Sequence, residues 1–238
     1  MLVSNTISVI VPTYQHAQTI TACLDSILAQ TRRVDEMIVV NDGSTDDTAR
    51  LLMPYADRVS IIHQTNQGGN VARNKGFAAA SGSMVMFCDA DAILRADMIE
   101  RLEHALEADP TSSYAYSGFR FGWKPFRSFP FDAERLRRMN YIHTTALIRR
   151  RDFPGFDPSI KRFQDWDVWL TMLEQGKRGV FVDAELFRIE DARGRVGISQ
   201  WRPSWMYKIP WKKIGWLPPS VRRYEQARDI IVSKHHLA

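Results

Sequence analysis

Cysteine is scarce in this chain. Cys23 and Cys88 are the only two, and they do not share a metal-ligand spacing. One falls on an expected helix and the other in an apolar strand, which suits a buried, reduced pair in a cytosolic protein rather than a disulfide framework. Long apolar runs are also missing: no stretch approaches the roughly eighteen apolar residues of a membrane span. Met1 to Thr6 have neither the basic region nor the apolar core of a secretory signal. A cytoplasmic protein is expected. Two phosphate-binding fingerprints are absent as well. No Gly-x-Gly-x-x-Gly follows the first strand and no Gly-x-x-x-x-Gly-Lys-Ser/Thr occurs anywhere. Dinucleotide redox chemistry and P-loop phosphoryl transfer thereby lose their main support.

What is present is the composition of a globular protein. The 238 residues, 45% hydrophobic and 25% charged, suit one α/β domain with or without an appendage. The net charge of +5 is unevenly placed. Residues 119–151 hold nine basic side chains against two acidic ones, and 200–238 hold eight against two, whereas the first 118 residues are net acidic. Basic blocks of this kind invite a polyanionic partner or an anionic lipid surface, and no nucleic-acid role is expected.

Along the chain, Ile7 to Val11 is a β-branched run stopped by Pro12, followed by an amphipathic stretch from about Ala17 to Gln30. Met37 to Val40 is a second buried strand, running into Asn41-Asp42-Gly43-Ser44-Thr45-Asp46-Asp47 and a helix near Asp47 to Met53. Val59 to His63 is the third strand, and a helix opened by Gly68-Gly69-Asn70 extends to about Ala80. The fourth strand is Met84-Val85-Met86-Phe87-Cys88. Four strands alternating with three helices predict a parallel, doubly wound sheet flanked by helices. Beyond Leu106, Tyr114 to Ser117, Thr144 to Ile148 and Gly179 to Val182 read as strands, Asp165 to Gln175 as a helix, and Phe119 to Met139 as an aromatic, basic connection.

The fourth strand ends in Asp89-Ala90-Asp91. In open α/β sheets ligands bind beyond the carboxyl ends of the strands. Residues i and i+2 share one side of a strand, so the two carboxylates could face one cation and the phosphates it carries. Alone, Asp-x-Asp reads better as a turn or a helix cap, and it gains weight only from its surroundings.

Together with Val11-Pro12-Thr13-Tyr14, Asn41-Asp42-Gly43-Ser44-Thr45-Asp46, the Gly68 to Gly76 segment with Ala72-Arg73-Asn74, and Gln164-Asp165-Trp166-Asp167, this motif resembles those of the large inverting glycosyltransferase family 2 of GT-A fold. Many of that family's members make bacterial surface polysaccharides. The resemblance spans residues 7–199. It implies a nucleotide-binding half (1–110), an acceptor half (111–199) and a basic, aromatic appendage (200–238). It further implies that Pro12 and Tyr14 line a nucleoside pocket, that Asp42 hydrogen-bonds the base edge, and that Gly68 lets backbone approach the ligand. Arg73 would support Asp42 or the donor, Asp89 would contact the ribose or sugar, and Asp91 would hold Mg²⁺ or Mn²⁺. The donor would be a nucleotide sugar, a UDP-sugar first, and the acceptor a growing or lipid-linked glycan.

Two positions depart from the family pattern. Gln164 stands where Glu usually precedes the catalytic Asp, and Glu190 where many members carry a His near the metal. Glu190 and Asp89 thus join Asp91 as candidate ligands. An inverting transfer is a single displacement and needs one carboxylate on the acceptor side. Asp165 and Asp167 both lie at a helix start, where the macrodipole favours an ionised carboxylate. The resemblance points to Asp165 as the base and leaves Asp167 to capping or positioning. His143 reads as an ordinary, partly buried histidine. The competing classes are a sugar-phosphate nucleotidyltransferase, whose phosphate loop Pro12-Thr13-Tyr14-Gln15 does not supply, and a non-catalytic binder with a degenerate site. In the appendage, Trp201, Trp205, Trp211 and Trp216 sit among Lys and Arg, with a last helix expected over Ser220 to Ser233. That composition suits peripheral docking at the inner face of a membrane.

Overall fold

The computed structural model describes residues 5–190 and 218–237. The first half alternates as the sequence pattern predicts: β1 (Ile7–Thr13), α1 (Ile20–Leu28), β2 (Glu36–Asp42), α2 (Thr48–Leu52), β3 (Ser60–Gln64), α3 (Gly69–Ala79), β4 (Met84–Phe87). β5 (Ala92–Leu94), α4 (Met98–Ala108), β6 (Tyr114–Phe121), β7 (Lys124–Phe126), α5 (Ala133–Arg138), β8 (Leu147–Arg149), α6 (Gln164–Glu174), β9 (Gly179–Ile189) and α7 (Pro219–Lys234) follow. The strands form one sheet in the order β3-β2-β1-β4-β8-β6-β9-β5, with β7 paired to β6. β1 to β4 are mutually parallel, and the antiparallel β8 joins them to the second half.

Alternation along the strands builds two cores. Ile7, Val9 and Val11 face α1 and α4, while Ile10, Ile38, Val40, Val85 and Phe87 face α3 and α6. α3 lies close on the sheet because residue 76 is glycine: a Cβ there would stand 2.4 Å from Cγ2 of Ile10.

β1 does not stop at Pro12. It runs on to Thr13, with Pro12 opposite Val40 of β2. On its other flank β4 leaves the ladder at Phe87, opposite Ile10, so the proline's missing N–H falls where no partner strand remains. Three short elements escape the sequence pattern. β7 closes a hairpin around Gly122 (φ +53°), α5 is capped by the Asp132 carboxylate accepting from the Arg135 amide at 2.9 Å, and β5 is only three residues long. β9 reaches seven residues past its expected end, Val182, to Ile189, and its register with β6 slips on either side of Gly118. Phe187 thereby comes opposite Phe119.

The expected last helix is α7, two residues longer than foreseen. Its Ile231 enters the core shared with Trp166 and Trp169 of α6. The four tryptophans from 201 to 216, and the boundary expected near residue 200, lie outside the described residues. Among the described residues no helix is long and apolar enough to cross a membrane.

At the end of α7 a polar clasp fixes it to α6. His235, its side chain only 2% exposed, directs Nε2 at Asp167 Oδ1 and Nδ1 at Glu174 Oε1, both at 2.8 Å. Lys234 reaches Asp167 at 2.8 Å and Asp157, just before α6, at 2.7 Å. Burial pushes the His235 pKa down, but the hydrogen bonds to Asp167 and Glu174 outweigh it and leave the pKa raised. A raised folded-state value means that the clasp's contribution is complete below the ordinary imidazole value of about 6.5 and fades as pH rises through the raised one. Melting curves from pH 6 to pH 9 should therefore show the wild type more stable than His235→Gln at the acid end, with the gap closing towards the alkaline end. A gap that stays constant with pH would remove the charged imidazole from the clasp.

Candidate active site

The motif residues gather at the carboxyl edge of β1, β2 and β4. Asp42 ends β2 and is 2% exposed. Its Oδ1 accepts from Gln64 Nε2 (2.7 Å) and the Gln67 amide (2.8 Å), and its Oδ2 from the Gly68 amide (2.8 Å). The carboxylate therefore pins the loop between β3 and α3. Gly68 takes a left-handed φ of +95°, and the space where a Cβ would project is open for 4 Å. Gln15 ties the first loop to the second by accepting from the amides of Thr45 (2.9 Å) and Asp46 (3.0 Å). Tyr14 is 43% exposed at this edge, whereas Pro12 is buried within the ladder. Of the six buried side-chain polar atoms without a hydrogen-bond partner among the described residues, three lie near this edge: Thr13 Oγ1, Gln64 Oε1 and Arg73 Nε.

Asp89, half-buried beyond β4, is the most heavily compensated carboxylate of the edge. Arg73 of α3 donates from Nη2 to its Oδ1 at 2.6 Å, and from Nη1 to Asn70 at 3.3 Å. His143 Nε2 lies 3.8 Å from Oδ2. Burial pushes the Asp89 pKa up, but Arg73 first, then His143 and His16, pull it below the usual carboxylate value. Arg73 thus supports Asp89 and not Asp42. Cys23 and Cys88 are free and buried beneath this turn, their sulfurs 3.9 Å apart.

Asp91 and Glu190 meet through the backbone. The Glu190 amide donates to the Asp91 carbonyl at 2.9 Å, just past the Ala92–Ile189 pairing of β5 with β9. Arg188 approaches Glu190 at 3.3 Å. Among the described residues no group of three or more His, Cys, Asp or Glu comes together as a metal cluster. Mg²⁺ and Mn²⁺ suit oxygen ligands, and Mg²⁺ commonly takes one or two carboxylates and completes its shell with phosphate oxygens and water. Two neighbouring acids at a strand end fit that demand.

Asp165 stands in the first turn of α6, which follows Phe163 in a left-handed conformation (φ +61°). Its Oδ1 accepts from the Trp166 amide at 2.9 Å. Around it Phe87, Ile148, Phe156, Val168 and Trp169 line a small apolar depression. Burial dominates here and raises the Asp165 pKa, against the opposing pull of His143, Asn140 and the local amides. The macrodipole expected to keep the pKa low is outweighed. Asp167, 3% exposed, belongs to the α7 clasp.

Sequence reasoning set His143 aside as an ordinary histidine and missed His16 and Asn140; all three are on loops. Only their nearness to motif residues in space marks them. His143 packs against the stacked pair Phe119 and Phe187, with ring centroids 4.9 and 5.1 Å away.

Residues 8–161 match the family described as glycosyl transferase family 2. The glycosyltransferase EpsJ of Bacillus subtilis, itself uncharacterised, is 39% identical over 87% of this chain and 64% of its own. A PGL/p-HBAD biosynthesis glycosyltransferase of Mycobacterium tuberculosis is 34% identical over 67% of this chain and 66% of its own. YibD of Escherichia coli, 40% identical over 44% of this chain, is covered over only 32% of its length. The chain thus spans less than two thirds of several of its curated relatives. Among solved structures, S. aureus TarS in complex with UDP-GlcNAc superposes with a TM-score of 0.67 over 97% of this chain and 72% of its own, at 19% identity. The mannosyltransferase PcManGT of Pyrobaculum calidifontis, with GDP-Man and Mn²⁺, gives 0.65 over 97% and 70%, at 22% identity. These likenesses establish the GT-A fold, and with the matched family they set the nucleotidyltransferase reading aside. The chain belongs to glycosyl transferase family 2.

Proposed function

We propose that this protein transfers a sugar from a nucleoside-diphosphate donor to a hydroxyl acceptor with inversion, and that Asp165 is the general base. The observation that carries the reading is the contrast between two carboxyls. Asp89 is held down by Arg73, while Asp165 is pushed up by its apolar surroundings. Carboxyls whose environments drive their pKa values apart take different chemical parts. An ionised Asp89 suits a hydrogen-bond acceptor for ribose or sugar hydroxyls. A desolvated Asp165 is a stronger base than an ordinary carboxylate and suits proton abstraction.

In the reaction, Asp165 takes the proton of the acceptor hydroxyl as its oxygen forms a bond to the anomeric carbon. The bond from that carbon to the β-phosphate oxygen breaks, and the electron pair leaves with the nucleoside diphosphate. Asp91 and Glu190 are the residues that would hold a divalent cation, whose chemistry is to neutralise the charge growing on the leaving diphosphate. Tyr14, the Asp42-anchored loop and Gly68 form the nucleoside side, with Pro12 shaping it from within the ladder. The TarS and PcManGT complexes, with UDP-GlcNAc and with GDP-Man and Mn²⁺, support a nucleotide-sugar donor, UDP-linked first, and a Mn²⁺ or Mg²⁺ requirement. The acceptor is a growing or lipid-linked glycan. Four tryptophans among the basic residues of 200–238 favour docking on the anionic inner face of a membrane. Sedimentation with phosphatidylglycerol vesicles at low salt checks this, and failure to bind would count against it.

Asp165→Asn should cut transfer by roughly 10²–10⁴-fold with donor affinity kept. Its melting temperature should be unchanged or raised, because a carboxyl with a raised pKa is destabilised when ionised. The wild-type rate should fall as pH drops through the raised Asp165 value, since the base must be ionised to work. Near wild-type transfer by Asp165→Asn would reject the assignment. Asp91→Ala should keep the fold and lose both turnover and the gain in donor affinity produced by Mn²⁺. Activity of that variant in the presence of a chelator would remove the cation from the mechanism. Donor hydrolysis without acceptor separates an active enzyme from a binder with a degenerate site.

A further inference from the structure

His143 is a side chain that neither the motifs nor the proposed reaction uses, yet it stands between their two carboxyls. The Thr145 amide and hydroxyl both meet His143 Nδ1 at 3.1 Å, so Nδ1 is taken up locally and Nε2 is the nitrogen left to present an N–H. Phe119 and Phe187, stacked on each other at 5.1 Å, both abut the ring and back it on one side. Nε2 faces Asp89 Oδ2 at 3.8 Å, beyond hydrogen-bond reach, and among the described residues no hydrogen bond consumes its proton. The ring is also close enough to Asp165 to act on it electrostatically. The result is a rigid, oriented N–H donor at the junction of the donor-side and acceptor-side carboxyls.

We propose that His143 contacts the transferred sugar itself, donating Nε2–H to one of its hydroxyls and so setting the anomeric carbon against Asp165. This rests on the nucleotide-sugar reading above. A pyranose hydroxyl fits this position because it can accept from Nε2–H while donating to the ionised Asp89, which offers acceptors only. The pair would read the sugar, whereas the Asp42 side reads the nucleoside.

The test uses the full chain with Mn²⁺ and compares binding of UDP-GlcNAc and GDP-mannose with that of UDP and GDP. His143→Phe keeps an aromatic ring against the stacked Phe119 and Phe187 but has no N–H, while His143→Gln keeps a donor. The expected result is that His143→Phe binds the free nucleotides as the wild type does, loses roughly tenfold in affinity for the preferred sugar nucleotide, and loses kcat as well. His143→Gln should recover most of both. Equal loss for nucleotide and sugar nucleotide, or a fully active His143→Phe, or a His143→Gln as impaired as the Phe variant with both folded, would overturn the inference alone. A wild type that binds none of the four ligands would overturn the donor reading and this inference with it.

Discussion

A carboxylate at the end of a strand buried on both faces has to be compensated, and the pairing of Asp89 with Arg73 is the interaction on which this site turns. β4 is fully buried, so the turn beyond it emerges from an apolar layer with little water to solvate a charge. Arg73 reaches it from α3, and α3 can lie low enough only because Gly76 leaves room for Ile10. The ion pair thus ties the register of a helix to the ionisation of the motif carboxylate. Truncating Arg73 would leave a half-buried charge short of its main partner, so Arg73 matters beyond any direct contact with a ligand.

α6 carries the opposite electrostatic arrangement on its two sides. Asp165, half-buried beside aromatic and aliphatic side chains, has its pKa raised by that burial, which favours basicity. Two residues on, Asp167 is given every compensation available, from His235 and Lys234. The left-handed Phe163 before the helix is itself buttressed edge-on by Tyr224 of α7, at 5.2 Å between ring centroids. α7 therefore acts as a splint for the helix that holds the candidate base.

The parallel half was legible because its signals are local. β1 to β4 are apolar runs interrupted by turn residues, and the structure places their ends within a few residues of the expected bounds. The motif residues reach one edge for the same reason, since a doubly wound sheet puts every strand end of that half on the same side. The pairing of residues across that edge was less legible. Asp42, expected to present its carboxylate to a base, also anchors the next loop with both oxygens, because the Gly68 turn leaves amides that need an acceptor. Arg73 was expected to serve Asp42 or the donor, and the structure instead pairs it with Asp89.

The acceptor half resisted reading because its elements are short and its key feature is an irregularity. Around Gly118 the β6–β9 register jumps, so that Gly118 faces Glu185 and Phe119 faces Phe187. Such a bulge re-aims side chains that regular pairing would send elsewhere. Glycine suits the point of the slip, where a Cβ would already stand 3.3 Å from the carbonyl oxygens of Ala184 and Phe126. The outcome is that Phe119 and Phe187 stack at 5.1 Å and close on the His143 ring. A pattern of alternating residues cannot announce this, because the alternation is what the bulge breaks. It follows that the histidine dismissed on sequence grounds and the irregular strand pair are one device: the slip in register builds the aromatic stack, the stack backs the ring, and Thr145 on Nδ1 turns Nε2 towards Asp89.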